Sequence, residues 1–365
     1  MKNLFIELLQ NVFLASLDIL NGASVWLIIS FVLAGLLHNV VSPDRLQRML
    51  GNRKISSLAK ATVSGMLLPI CSCGVIPLGL GLYYSGAYLG PVLAFMTATP
   101  VINPAAVLLA YGFLGPQVAT IYLVSGFVVP MLIGVVGNAL AGRELQAPGL
   151  ENPVELAALE SPAEVTLGQK LKTGLRWGVL DMGVSVSKYV ILGMLLAGLI
   201  VAVVPPAFIQ QYLGNPGLLS IFGIAVLGAI MYVCAVGHIP FIAALIASGA
   251  APGLAITFLM TGAASNLPEL ISIYNLIGRR AMVIYSSVLI AASFIIGYLT
   301  NLFLLPGFTP FFDLSKTSRT IGLANKITLA APDPIRYLCS AVIALLALYA
   351  LWPGFKRTLA RVRAA

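Results

Sequence analysis

Two stretches of this chain repeat each other, and the repeat constrains what the rest can be. Met66–Pro77 reads MLLPICSCGVIP and Met231–Pro240 reads MYVCAVGHIP. Laid over one another at an offset of 163 residues, Cys71 meets Cys234, Gly74 meets Gly237, Ile76 meets Ile239 and Pro77 meets Pro240. The offset holds without a gap from Ser24–Gly134 against Ser187–Gly297, where roughly three positions in ten are identical. Apolar composition alone does not produce shared blocks such as Leu50-Gly51-Asn52 with Leu213-Gly214-Asn215, or Ser85-Gly86-Ala87 with Ser248-Gly249-Ala250. The expectation is two copies of one unit. Residues 1–140 form the first, 141–167 a polar acidic linker, 168–303 the second, and 304–365 a loop, a last span and a basic tail.

The copies are written almost wholly in apolar residues. Of 365 residues, 59% are hydrophobic and 9% charged, where a soluble domain carries roughly 25% charged. Runs of about 20 apolar residues, the length of a membrane-crossing helix, recur along the chain. The fold class expected is an all-α polytopic membrane protein, each copy holding four or five segments, with one further span at Tyr337–Trp352. Lipid is therefore the first partner. The net charge of +9 sits in a few loops, as the positive-inside rule anticipates, so no nucleic-acid partner is expected. Met1–Leu20 has no small-residue cleavage site, and no removable leader is expected.

Within each copy the segments differ. Residues 4–20 and 168–184 read as interfacial entry helices, and Ser24–Val41 and Ser187–Val204 as clean spans. Residues 55–84 and 87–113 read as spans interrupted near their middles, by Pro69 and Pro77 around CSCG and by Pro100, Asn103 and Pro104 in TATPVINP. A proline inside a helix lacks the N–H donor and clashes with the carbonyl four residues before it. Pro77 thus frees the carbonyl of Cys73, and Pro100 that of Met96. Unpaired backbone in hydrocarbon is costly and persists only inside protein or along a wet cavity. Paired broken helices in matching halves point to a transporter's central site. Pro69, Gly74, Pro77, Pro100 and Pro104, with Gly237 and Pro240 in the second copy, are the expected break positions. With four spans per copy the units run parallel and the basic loops share one side with the tail; five spans would invert them. The charges favour the parallel arrangement.

Soft donors cluster at the break. Cys71 and Cys73 would point about 200° apart on a helix, but to one side of an extended segment. Cys234 and His238, four apart, share a helical face. Together Cys71, Cys73, Cys234 and His238 make a candidate metal set, of a kind that favours Cu(I), Zn and, by the same logic, trivalent arsenic. A closed four-ligand site suits structure better than transport, so two or three ligands at a time fit a moving cargo. Packing alone is the plainer reading of any membrane cysteine, and it is the reading for Cys339. Thr99, Asn103 and Asn266 complete the candidate substrate contacts, and the two asparagines also suit helix caps. Glu269 is the only acid deep in a repeat span; an intramembrane carboxylate is a functional candidate by default, here for proton coupling. Asp18 and Asp181 match across the copies, but near segment ends.

With CSCGVIP, the following SGA, ATPVINPA and the diverged second copy in place, the sequence resembles the predicted-permease family of ArsP-like permeases over about Ser24–Gly297. Members of that family export trivalent organoarsenicals, and a related branch is linked to copper and zinc efflux. The resemblance implies a multi-span inner-membrane permease with cysteine-assisted handling of a thiophilic solute, and carries over to Cys71, Cys73, Thr99, Pro100, Asn103 and Pro104. The metal-linked branch has an acidic TPET-type motif where this chain reads TPVINP, which favours the arsenical-type or an uncharacterised branch. No GxxxxGK[ST] loop is present, so the driving force would be an ion gradient or a separate partner. No cofactor is expected, and a homo-oligomer is left open. The competing readings are a membrane subunit or scaffold with the acidic linker as its docking segment, a permease for another small solute such as a sulfur compound, and an intramembrane enzyme lacking an identifiable third group beside Cys234 and His238.

Overall fold

The computed structural model describes residues 2–40, 50, 52–68, 72–148, 167–203, 217–230, 235–247, 250–304 and 332–363. Among these residues every regular element is helical. Among the described residues five helices are long and apolar enough to cross a membrane, or seven crossings if each of two bent pairs is one span.

The first helix, α1 (Lys2–Val40), is continuous. The separate entry helix expected over 4–20 does not exist, because no residue between Leu20 and Ser24 stops the helix, and the membrane-length window is Gln10–Leu36. Its counterpart is likewise one path: α7 (Leu167–Arg176), a π-turn (Trp177–Met182) and α8 (Gly183–Val203). The two run antiparallel in close contact. A Cβ at Gly35 would strike the Gly174 carbonyl, and one at Gly178 the Phe31 carbonyl.

Next come α2 (Ile55–Met66) and α3 (Ser72–Tyr84), then α4 (Leu89–Val101) and α5 (Pro104–Phe113), bent by 44°. The first pair is not a crossing. Leu50 accepts from Tyr88 N at 3.1 Å, so the chain entering α2 and the chain leaving α3 lie together. Tyr83 Oη reaches the carbonyls of Glu144 and Gln146 at 3.0 and 2.9 Å, and Tyr84 Oη that of Leu276 at 2.6 Å. At 12 and 13 residues each arm is roughly 18–20 Å long, about half a bilayer. The start of α2 and the end of α3 therefore lie at one face, a correction to the interrupted span expected over 55–84. Gly65 near the inner end of α2 packs on Thr99.

The prolines fall differently from the expected breaks. Pro77 is inside α3 and Pro100 inside α4; Gly74 is in α3, and Gly237 and Pro240 are in α10 (Ala235–Ala247). Pro100 sits just before the end of α4, whereas Pro77 and Pro240 lie mid-helix in α3 and α10, and each helix continues through its proline. The real interruption is at Ile102-Asn103. Asn103 precedes Pro104 and is held extended (φ −62°, ψ 155°), as a pre-proline residue prefers. Pro69 lies outside the described residues.

Beyond α6 (Gly115–Leu140), the start of the expected linker is folded rather than loose. A 3₁₀ turn, Gly142–Leu145, carries Glu144 to the beginning of α13 (Arg279–Leu304), where its carboxylate accepts from the backbone N–H of Arg280 at 3.1 Å and of Ala281 at 2.5 Å. An acidic cap on a helix N-terminus contributes about 1 kcal/mol. Glu144→Ala is expected to lower thermal stability by that amount in detergent, with Glu144→Gln intermediate; an unchanged melting temperature would show the cap to be incidental.

The second half contains α9 (Leu218–Ile230), α10, α11 (Pro252–Ala264) and α12 (Leu267–Leu276), the last two again bent by 44°. Elements matched by the 163-residue offset run in opposite directions. The end of α6 lies at the start of α13 through Glu144, yet α6 and α13 are offset counterparts that pack along each other. The α6–α13 pair is thus antiparallel, as are α1 and the α7–α8 path, where the expected parallel arrangement would have each pair run the same way. The α2–α3 hairpin makes this compatible with the charges. Arg53, Lys54, Arg143, Lys172, Arg176, Arg279 and Arg280, all exposed, stand at or near one face, whereas the turns at 114–117 and 250–252 carry no basic residue. The last helix, α14 (Asp333–Arg363), packs on α1 and α8.

Candidate functional site

The two bent pairs meet in the core. α4 packs on α11, α3 on α12, and α10 on α5, so each half's broken helices are clasped by the other's. Every residue of α4 and α11 is buried. A helix beginning inside a membrane exposes N–H groups that water cannot reach, and asparagines supply the acceptors. Asn103 Oδ1 accepts from Ala106 N at 2.9 Å and Asn266 Oδ1 from Glu269 N at 3.1 Å. Asn138 on α6 accepts from Gly90 N at 2.9 Å, and Asn301 on α13 from Gly253 N at 2.7 Å. The carbonyls orphaned at the breaks are met by phenols: Tyr122 donates to Val101 O, and Tyr285 to Ala264 O.

The halves diverge around the second break. Pro104 cannot donate to the Pro100 carbonyl, and Asn103 Nδ2 does so instead at 3.3 Å. In the other half the proline comes one position later, at Pro268, and Asn266 Nδ2 has no partner. Where the first half has Ala106, the second has Glu269, fully buried. Glu269 Oε1 lies 3.0 Å from the Tyr285 hydroxyl, while Oε2 has no partner. Thr97 of α4 is also within hydrogen-bonding reach of Tyr285. One carboxyl, one phenol, one threonine and one half-used asparagine thus converge from α12, α13 and α4.

Of the candidates named from sequence, Asn103, Asn266 and Glu269 stand at the crossing. Thr99 is fully buried there, but its hydroxyl is turned back onto Phe95 O at 2.7 Å. Pro104 opens α5. His238 on α10 stands beside Phe258 of α11, ring centroids 6.2 Å apart. Cys71 and Cys234 lie outside the described residues, and of Cys73 only the backbone is described. Among the described residues no three of His, Cys, Asp and Glu come together to hold a metal. Tyr122, Tyr285, Asn138, Asn301 and Thr97 were not foreseen. The first four are identical across the offset, and that identity was the available signal.

A profile described as predicted permease, ArsP_1, matches residues 9–302. The chain belongs to this predicted permease family. A UPF0718 protein of Methanocaldococcus jannaschii is 25% identical to this permease, the match covering 76% of the present chain and 91% of its own. The UPF0718 protein YcgR of Bacillus subtilis is 26% identical over 72% and 88% of the two chains. A protein of Streptococcus mutans named as a putative two-component membrane permease complex subunit is 21% identical over 71% and 84%. No solved structure matches the permease. Family and helices together make it a multi-pass membrane protein of permease type.

Proposed function

We propose that this permease is a secondary-active exporter of a thiophilic solute, a trivalent organoarsenical or a related soft metal or metalloid species, through a site between two inverted repeats. The observation that carries the reading is the pair of asparagine-capped helix breaks, each clasped by the other half in the membrane interior. Discontinuous helices of this kind are where transporters gather substrate and coupling ions. In sequence Cys71 falls between α2 and α3 and Cys234 between α9 and α10, Cys73 is in α3, and His238 is four positions after Cys234. Thiolates and imidazole select soft ions. The basic face is assigned to the cytoplasm of a plasma or inner membrane, by the positive-inside rule.

Cys71→Ser and Cys234→Ser, each expressed in an arsenical-sensitive host, are expected to lose most of the resistance to methylarsenite that wild type confers, at equal protein level. Resistance equal to wild type for both, to methylarsenite and to Cu and Zn salts, would remove the cysteines from the mechanism. The name of the Streptococcus mutans relative favours one other reading, a chain that works only with a second component, the acidic linker 141–167 serving as its dock. Methylarsenite transport by the purified chain alone in liposomes would discard it.

A further inference from the structure

We propose that Glu269, set between Asn266 and Tyr285, is the proton-binding site through which this permease draws on a proton gradient. The inference rests on the permease reading but not on the identity of the cargo. Its basis is a count of protons. Tyr285 has one hydroxyl proton and three oxygen neighbours: Ala264 O, Thr97 Oγ1 and Glu269 Oε1. The other half shows which neighbour takes it. There Ala106 replaces the acid, and Tyr122 still donates to the carbonyl at the break, Val101 O. The phenol proton belongs to the carbonyl, because the broken helix leaves that acceptor without its usual donor. The contact between Tyr285 Oη and Glu269 Oε1 then needs a second proton, and the carboxyl supplies it.

The surroundings suit a group that gains and loses a proton. No Lys, Arg or His pairs with Glu269 among the described residues. Around it, α13 presents Tyr285 and α4 presents Thr97; on α3, Tyr84 is engaged with Leu276 at the far end of α12, and on α8, Lys188 lies over the Tyr189 ring. When the proton leaves, two devices receive the charge: the N-terminus of α12, at whose first turn Glu269 sits, and Asn266 Nδ2, a donor without a partner. The step is a simple ionisation. The O–H bond of the carboxyl breaks, the proton passes to water at one face, and a proton from the other face later replaces it; nothing is oxidised or reduced.

Dicyclohexylcarbodiimide adds to protonated carboxyls in apolar surroundings and tests this without any cargo. In purified, full-length wild type, mass spectrometry is expected to find an adduct on the peptide carrying Glu269. It should fall from acidic to alkaline pH, ignore sodium, and vanish in Glu269→Gln. No adduct at Glu269, an adduct indifferent to pH, or one suppressed by sodium at constant pH would overturn the proposal. In liposomes that carry methylarsenite, Glu269→Gln should lose uphill movement driven by a pH gradient yet keep downhill exchange; uphill movement equal to wild type would also overturn it. If wild type carries no methylarsenite, that cargo fails while the labelling result stands.

Discussion

Gly253→Ala is expected to lower the melting temperature of the detergent-solubilised protein by roughly 10 °C, and Gly253→Leu to abolish folded protein. Gly253 is the second residue of α11, where the helix lies directly on α13. A Cβ there would overlap the carbonyl oxygen of Gly297 and crowd the side-chain amide of Asn301. The obstacle is backbone, so no rotamer change relieves it and the two helices must part. Forcing a packed core apart by one carbon costs about 1–3 kcal/mol. Parting also breaks the bond from Gly253 N to Asn301 Oδ1 and leaves a buried donor, a further ~1–3 kcal/mol. The sum is a large share of a typical stability of about 5–15 kcal/mol, and each 1 kcal/mol shifts the melting temperature by about 2–4 °C in a chain of 150–250 residues. Gly90→Ala should behave alike, since its Cβ would overlap Asn138 Oδ1 and Gly134 O. Gly22→Ala is the control: no atom lies within 4 Å of its Cβ, and replacing a helical glycine gains about 0.5–1 kcal/mol. Equal melting temperatures for Gly253→Ala and Gly22→Ala would mean that α11 and α13 are not packed as described.

The same glycines show what could and could not be read from residues alone. Gly90 and Gly253 are identical across the offset, as are Tyr122 and Tyr285 and Asn103 and Asn266, and each pair makes the same bond in its own half. The helix break near TPVINP and the cap at Asn266 were legible because pre-proline stereochemistry and asparagine capping are local, whereas the break before Pro268 was not expected. Direction was not. Whether 55–84 crosses or returns depends on Leu50 meeting Tyr88 and Tyr84 meeting Leu276, contacts between residues up to 192 positions apart. Proline positions misled for a related reason: a proline marks a lost donor, but burial of the whole of α4 outweighs one lost bond near its end. Asn266 and Glu269 were both noticed as residues, and the one-position shift of the proline, Pro104 against Pro268, is legible in the sequence, but the unfilled valences of Asn266 Nδ2 and Glu269 Oε2 depend on what packs around them.

Gln117 and Arg280 decide the arrangement of the halves, because they are counterparts at the 163-residue offset. Parallel repeats would place both at one face; antiparallel α6 and α13 place them at opposite faces. Both are exposed, Gln117 just inside the start of α6 and Arg280 beside Glu144 at the start of α13. In a background with Cys71, Cys73, Cys234 and Cys339 replaced by Ser, Gln117→Cys is expected to react with a membrane-impermeant maleimide on intact cells. Arg280→Cys and Arg143→Cys should react only after the membrane is opened. The effect is all or none, since about 30 Å of hydrocarbon separates the faces. Reaction of Gln117→Cys and Arg280→Cys from the same side would restore parallel units and turn the α2–α3 hairpin back into a crossing. The expected pattern instead fixes three crossings per half with one hairpin each. The inner end of α2, where Gly65 packs on Thr99, and the end of its counterpart α9, where Gly228 packs on Thr261, lie beside α4 and α11 just before the breaks at Asn103 and Asn266. A cargo handed between those levels would need the two halves to rock about α4 and α11, in both of which every residue is buried.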